Sequence, residues 1–230
     1  VTARDTMLGA IAAGLNRAAD NGAGAKAVAD RMARHAANLI PARGGRDRTG
    51  RIELFVEMIT DVDATVDRVD RTADVPGALT GFLRGHNLPA RVVRAPDPRL
   101  GAVPWAERPQ LEIRVGKAEP ADAVSVTGAF GAIAETGTLM LTSGPDRPTT
   151  LNFLPETHVV VLWADQIAGS FESQWDMLRS CYGEGTMPRT VNFITGPSRS
   201  ADIEQTLQLG AHGPRRLHVI IVDEPPPQAD

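Results

Sequence analysis

The chain has 230 residues and a mass of 24.5 kDa, of which 42% are hydrophobic, enough to bury one domain core with an appendage. Its 24 Lys and Arg stand against 28 Asp and Glu, a net charge of −4 that argues against general nucleic-acid binding. The single cysteine, Cys181, excludes an internal disulfide and any cysteine-ligated metal or iron–sulfur cluster made by this chain alone.

No apolar run approaches a membrane span, and residue 1 onward lacks the basic-then-apolar order of a signal peptide, so no membrane insertion and a cytoplasmic location are expected. Charge is uneven: residues 1–52 carry nine Lys/Arg against four Asp, as on a solvated basic helix face.

Residues 4–19 place Met7, Leu8, Ile11 and Leu15 at helical spacing. Glycines at 22 and 24 should interrupt that helix, and a second is expected over 26–40, ending at Pro41. His35 on this helix has no chelating neighbour one turn away and reads as a surface histidine. Residues 42–50, basic and glycine-containing, read as a mobile join, giving an N-terminal helical segment over 1–50, a main domain over 51–225 and a tail over 226–230. Beyond it, 51–60 is a mixed apolar segment, 61–71 an acidic helix with Val62, Val66 and Val69 on one face, and 75–84 a helix with Pro76 early and Gly85 at its end.

From residue 90 the pattern turns to short β-rich runs: 91–95, 111–115, 121–126 and 133–142, with a proline-rich loop over 96–109. Residues 157–163 and 217–222 are nearly continuous apolar strands, as in a parallel sheet covered on both faces. An amphipathic helix over 166–182 separates the first of these from a β-branched run over 190–195. The alternation predicts an α/β fold, a mostly parallel sheet with helices on both faces.

Two stretches could carry chemistry. After the run 190–195, Gly196 and Pro197 break the strand, and Ser198, Arg199 and Ser200 lead into an expected helix with Ser200 or Asp202 as N-cap, the latter completing a capping box with Gln205. Free N–H groups there, with hydroxyls and Arg199, suit a carboxylate or phosphate, or the stretch is an ordinary capped connection. In the second, Glu135, Thr136 and Thr138 flank Gly137 between Ile133 and Leu139. A carboxylate inside a sheet must be solvated in a cleft, paired or protonated, so Glu135 is either a site residue or an edge-strand or turn glutamate bonded to neighbouring backbone amides. The two stretches are expected to face each other across the sheet's carboxyl rim. Dinucleotide, phosphate-loop, zinc-protease and hydrolase motifs are absent. His158, His212 and His218 read as core or capping residues, and Cys181 as a small buried hydrophobe.

The runs Ala134-Glu135-Thr136-Gly137-Thr138-Leu139, Leu154-Pro155 with His158-Val159-Val160-Val161, and Thr195-Gly196-Pro197-Ser198-Arg199-Ser200-Ala201-Asp202 through Gly210-Ala211-His212-Gly213-Pro214 strongly resemble the LUD-domain family, in particular its lactate-utilization protein C type. The resemblance implies a fold like the NagB/RpiA/CoA-transferase superfamily. It also implies a part in oxidising L-lactate to pyruvate beside iron–sulfur partner proteins, with no cofactor in this chain. Two functions follow as expectations. One is a non-redox component that binds lactate or its partners. The other is a stand-alone acyl-transfer or phospho-sugar enzyme using Glu135 as base or nucleophile. For either, the expected site has Glu135 as its catalytic residue and Thr136, Gly137, Thr138, Gly196, Ser198, Arg199 and Ser200 binding the substrate.

Overall fold

The computed structural model describes residues 2–15, 22–183, 185–200 and 208–227. Two compact units emerge, Val1–Leu39 and Ile40–Asp230. The first contains helices α1 (Ala3–Gly14) and α2 (Gly22–Arg34). A capping box starts α1: Thr2 Oγ1 accepts from the Asp5 amide at 3.2 Å while Asp5 accepts from the Thr2 amide at 3.0 Å. Helix α2 begins at Gly22, inside the expected break, includes Gly24, and stops at Arg34 as His35 takes φ 41°. Met7, Leu8, Ile11, Val28 and Met32 are all exposed.

The second unit starts earlier than residue 51. Residues 42–50 are built into it: Ala42–Gly44 form a 3₁₀ turn with Gly44 buried, and Asp47 caps α3 (Arg48–Thr60) by accepting from the Gly50 amide at 2.8 Å. Arg48 then bonds the Asp165 carboxylate and the Asp223 carbonyl, each at 2.8 Å.

Six parallel strands form the main sheet: β1 (Thr65–Val69), β2 (Arg91–Arg94), β3 (Glu112–Val115), β4 (Val124–Gly128), β7 (Thr157–Trp163) and β12 (Arg216–Val222), in the order β1-β12-β7-β4-β2-β3. The expected mixed α/β architecture with a parallel sheet between helices is what the structure has. Period-two alternation assigns the faces. Val159, Val161, Trp163, Ile220 and Val222 join Val75, Leu79, Phe82 and Leu83 of α4 (Val75–Gly85) in one core. Val160, Leu162, Val219 and Ile221 join Ile52, Phe55 and Ile59 of α3 in the other. With both faces covered, no polar alternation is needed, which is why β7 and β12 read as nearly continuous apolar runs.

Other expectations change. The predicted helix over 61–71 is replaced by strand β1, because β-branched Thr65, Val66 and Val69 pair with the open edge of β12, and at an edge Asp67 and Arg68 stay solvated. The single strand over 133–142 is two, β5 (Gly131–Ile133) and β6 (Thr138–Thr142), joined by the 3₁₀ turn Ala134–Thr136. The helix expected to begin at 166 is preceded by strand β8 (Ile167–Ala168) and becomes α7 (Phe171–Tyr182), capped by Ser170. With β9 (Val191–Ile194) these strands make a second sheet, β8-β5-β6-β9. Arg199 and Ser200 form strand β10, antiparallel to β11 (Gln208–Leu209), instead of opening a helix. The proposed cap at Asp202 and Gln205 lies outside the described residues. Short helices α5 (Pro98–Gly101) and α6 (Thr150–Phe153) complete the unit.

Candidate functional site

In the main sheet, the connection leaving β2 runs outward to β3, whereas the one leaving β4 runs the opposite way toward β7. Neighbouring strands whose connections diverge leave a crevice at their carboxyl ends, the place where open α/β sheets take ligands. A cleft of about 500 Å³ lies at this rim. Its residues come from the chain just after four strands: Arg99 after β2, Phe130 after β4, Asp165 and Gln166 after β7, and Pro226 after β12. Arg147, Met177, Cys181 and Tyr182 close it.

The charged floor is organised by Asp97, which is 2% exposed. Its carboxylate caps α5 by accepting from the Arg99 amide at 2.9 Å and pairs with Arg99 Nη2 at 3.1 Å. Arg147 Nε lies 4.0 Å from the same carboxylate, beyond hydrogen-bond reach, and is a buried donor without a partner. Arg147 Nη1 donates to Thr142 Oγ1 at 2.9 Å and Nη2 to Asp146 at 3.4 Å, while the Tyr182 hydroxyl donates to the same Thr142 oxygen at 3.2 Å. The guanidinium of Arg99 sits 5.5 Å from the centroid of the Trp163 ring, which holds it by cation–π attraction. Half-buried Arg94 adds a third guanidinium; desolvation lowers its pKa and Asp97 opposes that shift. Of the three guanidinium groups only Arg99 and Arg147 line the cleft, where Asp165, paired with Arg48 at 2.8 Å, is the lining carboxylate. Two arginines side by side at the rim suit an oxyanion, because a guanidinium donates charge-assisted hydrogen bonds to one.

A model of the LUD domain matches residues 52–222. The chain belongs to the LUD-domain family. It is 32% identical to lactate utilization protein C of Halalkalibacterium halodurans over 186 residues, which is 75% of this chain and 77% of that relative. To lactate utilization protein C of Bacillus subtilis it is 36% identical over 165 residues, covering 70% and 68% of the two chains. Among solved structures it is similar to a DUF162-family protein from Deinococcus radiodurans, at 26% identity and a TM-score of 0.58, over 77% of this chain and 99% of that one.

Within this LUD unit the residues expected to form the site divide between places. Thr136, Thr138 and Thr195 form a hydroxyl chain with links of 2.7 Å, so Thr138 does meet the strand end that precedes Gly196. Gly137 has φ 63°, and a Cβ there would lie 2.5 Å from the Ile59 amide nitrogen; its missing side chain admits the backbone of α3. Gly196, at φ 85°, admits the Val62 carbonyl in the same way. Gly196 and Ser198 line a pocket of about 220 Å³ with Asn152, His158, Pro214 and Leu217. His158 and Leu217 open β7 and β12, so this pocket is at the amino end of the sheet, and the expected position of the turn at the carboxyl rim is corrected. Ser198 Oγ accepts from the His212 amide at 3.2 Å. Arg199 pairs with Asp63 at 2.6 Å, and Ser200 is buried.

Glu135, 4% exposed, accepts from the Phe171 amide at 2.8 Å. A carboxylate at the first turn of α7 is favoured by the helix dipole, so this helix start holds an anion supplied by the chain itself. Two further readings resolve. Cys181 is exposed at the carboxyl-rim cleft instead of buried. His158 and His218 are core residues held neutral by burial, with pKa values lowered to about 3 and about 4. His158 Nε2 is bonded to Thr127 Oγ1 and His218 Nδ1 to Thr65 Oγ1, both at 2.8 Å, and His218 stacks on Phe82 at 4.0 Å.

Proposed function

We propose that this chain is the non-redox component of an L-lactate utilization system that oxidises L-lactate to pyruvate, and that its carboxyl-rim cleft binds a small carboxylate. Family membership and relatives called lactate utilization protein C support the system. The observation that carries the binding role is the Arg99–Asp97–Arg147 arrangement: a buried carboxylate bonds Arg99 and stands 4.0 Å from Arg147, and both guanidinium groups line the cleft. Arg147 offers its charge and the second Nη2 hydrogen to a substrate carboxylate, and the Tyr182 hydroxyl lies beside it for a 2-hydroxyl group. Electron transfer falls to partner proteins carrying iron–sulfur clusters, because a lone Cys181 cannot supply a cluster's thiolates.

Calorimetric titration of the full chain with L-lactate tests the binding role. A charged hydrogen bond contributes about 1.5–3 kcal/mol, so Arg147→Ala weakens binding roughly ten- to 150-fold. In the system assembled with the partner proteins, the same variant lowers lactate-dependent reduction of the clusters. Wild-type affinity in Arg147→Ala with the fold intact overturns the assignment.

A further inference from the structure

The cleft is much larger than a 2-hydroxy acid. A cavity of roughly 150 Å³ already holds benzene, whereas this one measures about 500 Å³, the size of a site for a cofactor-sized or drug-sized molecule. Its lining also separates by chemistry. Arg99, Arg147, Asp165 and Gln166 are charged or amide groups, and Gln166 is fully engaged: Oε1 accepts from the Trp163 amide while Nε2 donates to the Ala129 carbonyl at 3.0 Å. The remaining lining is apolar or aromatic. Phe130 and Tyr182 touch with ring centroids 6.1 Å apart and planes inclined by 42°, and Met177 and Cys181 lie four residues apart on α7, on one face of it. A carboxylate of six heavy atoms held by the arginines would leave this aromatic and sulfur-bearing wall facing water, although apolar and aromatic surface is the part of a cleft that gains most from being covered.

Building on the reading of the cleft as the anion site, we propose that its full ligand is an oxyanion carried by a molecule with a flat aromatic ring. The oxyanion sits at Arg99 and Arg147, where a 2-hydroxy acid would occupy that end alone, and the ring lies along Phe130, Tyr182 and Met177. Aromatic carboxylates and nucleoside monophosphates share this chemistry.

Calorimetric titration of the chain with L-lactate, inorganic phosphate, benzoate, AMP and adenosine tests it. Benzoate or AMP binds at least tenfold tighter than its ring-free counterpart, lactate or phosphate, and adenosine, lacking the oxyanion, binds at least tenfold more weakly than AMP. Preference for benzoate names an aromatic carboxylate as the ligand, and preference for AMP a nucleotide. Phe130→Ala lowers affinity for the preferred ring-bearing anion at least fivefold more than for lactate, and Tyr182→Phe, which keeps the ring, retains at least half of the ring-bearing anion's advantage; circular dichroism checks that both variants fold. Equal affinities for ring-bearing and ring-free anions overturn the inference while leaving the anion site standing. Absence of binding by every anion removes both.

Discussion

Replacing Gly137 by alanine tests whether its missing side chain serves the packing of α3. The residue adopts φ 63° and ψ 35°, a left-handed conformation that costs an L-residue about 1–2 kcal/mol. A Cβ would also stand 2.5 Å from the Ile59 nitrogen and 2.6 Å from the Met58 carbonyl carbon, both of them backbone atoms of α3. That backbone cannot swing aside as a side-chain end could, since Phe55 and Ile59 anchor the helix with no exposed surface. Overpacking of this kind adds about 1–3 kcal/mol, for a total loss of roughly 2–5 kcal/mol. Gly185→Ala is the control, with φ 71° and nothing within 4 Å of its Cβ, so only the conformational part applies. Urea unfolding followed by far-UV circular dichroism measures both. Equal losses in the two variants would show that the contact with α3 does not constrain residue 137.

Acid destabilises the fold through His158 and His218. Their folded-state pKa values, about 3 and about 4, lie below the ordinary 6.5, so the unfolded chain binds more protons; stability is complete above pH 6.5 and falls through pH 4, on the order of 1.4 kcal/mol per pH unit for each histidine. A midpoint of urea unfolding that stays constant from pH 7 to pH 5 contradicts this. Deleting residues 1–39 leaves cooperative unfolding of the rest, since no residue of α1 or α2 is buried, whereas deletion through residue 50 removes the Asp47 cap, worth about 1 kcal/mol, and the Arg48 contacts, and lowers the thermal midpoint. Similar midpoints for the two truncations refute that boundary. Asp97→Ala leaves Arg99 and Arg147 without their shared carboxylate; breaking a wholly buried pair costs about 3–5 kcal/mol, and here solvent reaching side chains 20% and 29% exposed holds the loss to roughly 2–3 kcal/mol, measured by urea unfolding.

Legibility in the sequence followed burial. Strands β7 and β12 and helix α4 are apolar almost throughout or at one clear period, and each stands close to where its pattern placed it. Strand β1 was hidden because an edge strand tolerates Asp67 and Arg68, whose charges mimic a helix surface. The second sheet was hidden by its short strands, none longer than five residues, and by the turn at Glu135 that splits β5 from β6. The threonine and glycine residues around 135–138 and 195–198 were visible as unusual, and the structure engages the threonines with one another and the glycines with close backbone. The arginine cleft had only one local signal, Asp97-Pro98-Arg99 directly after a predicted strand, inside a loop that otherwise reads as proline-rich connection. Arg147 is 50 residues from Asp97 in sequence and joins it only through the strand order. Sites at carboxyl rims are assembled by topology, so their members carry no fixed spacing.

The most direct test of the central claim is a crystal structure of the full chain grown with saturating L-lactate. The account predicts density for the carboxylate within hydrogen-bond distance of Arg147 in the carboxyl-rim cleft, with the 2-hydroxyl toward Tyr182. Lactate bound instead at the opposite end of the sheet, between Gly196, Ser198 and Asn152, would contradict it.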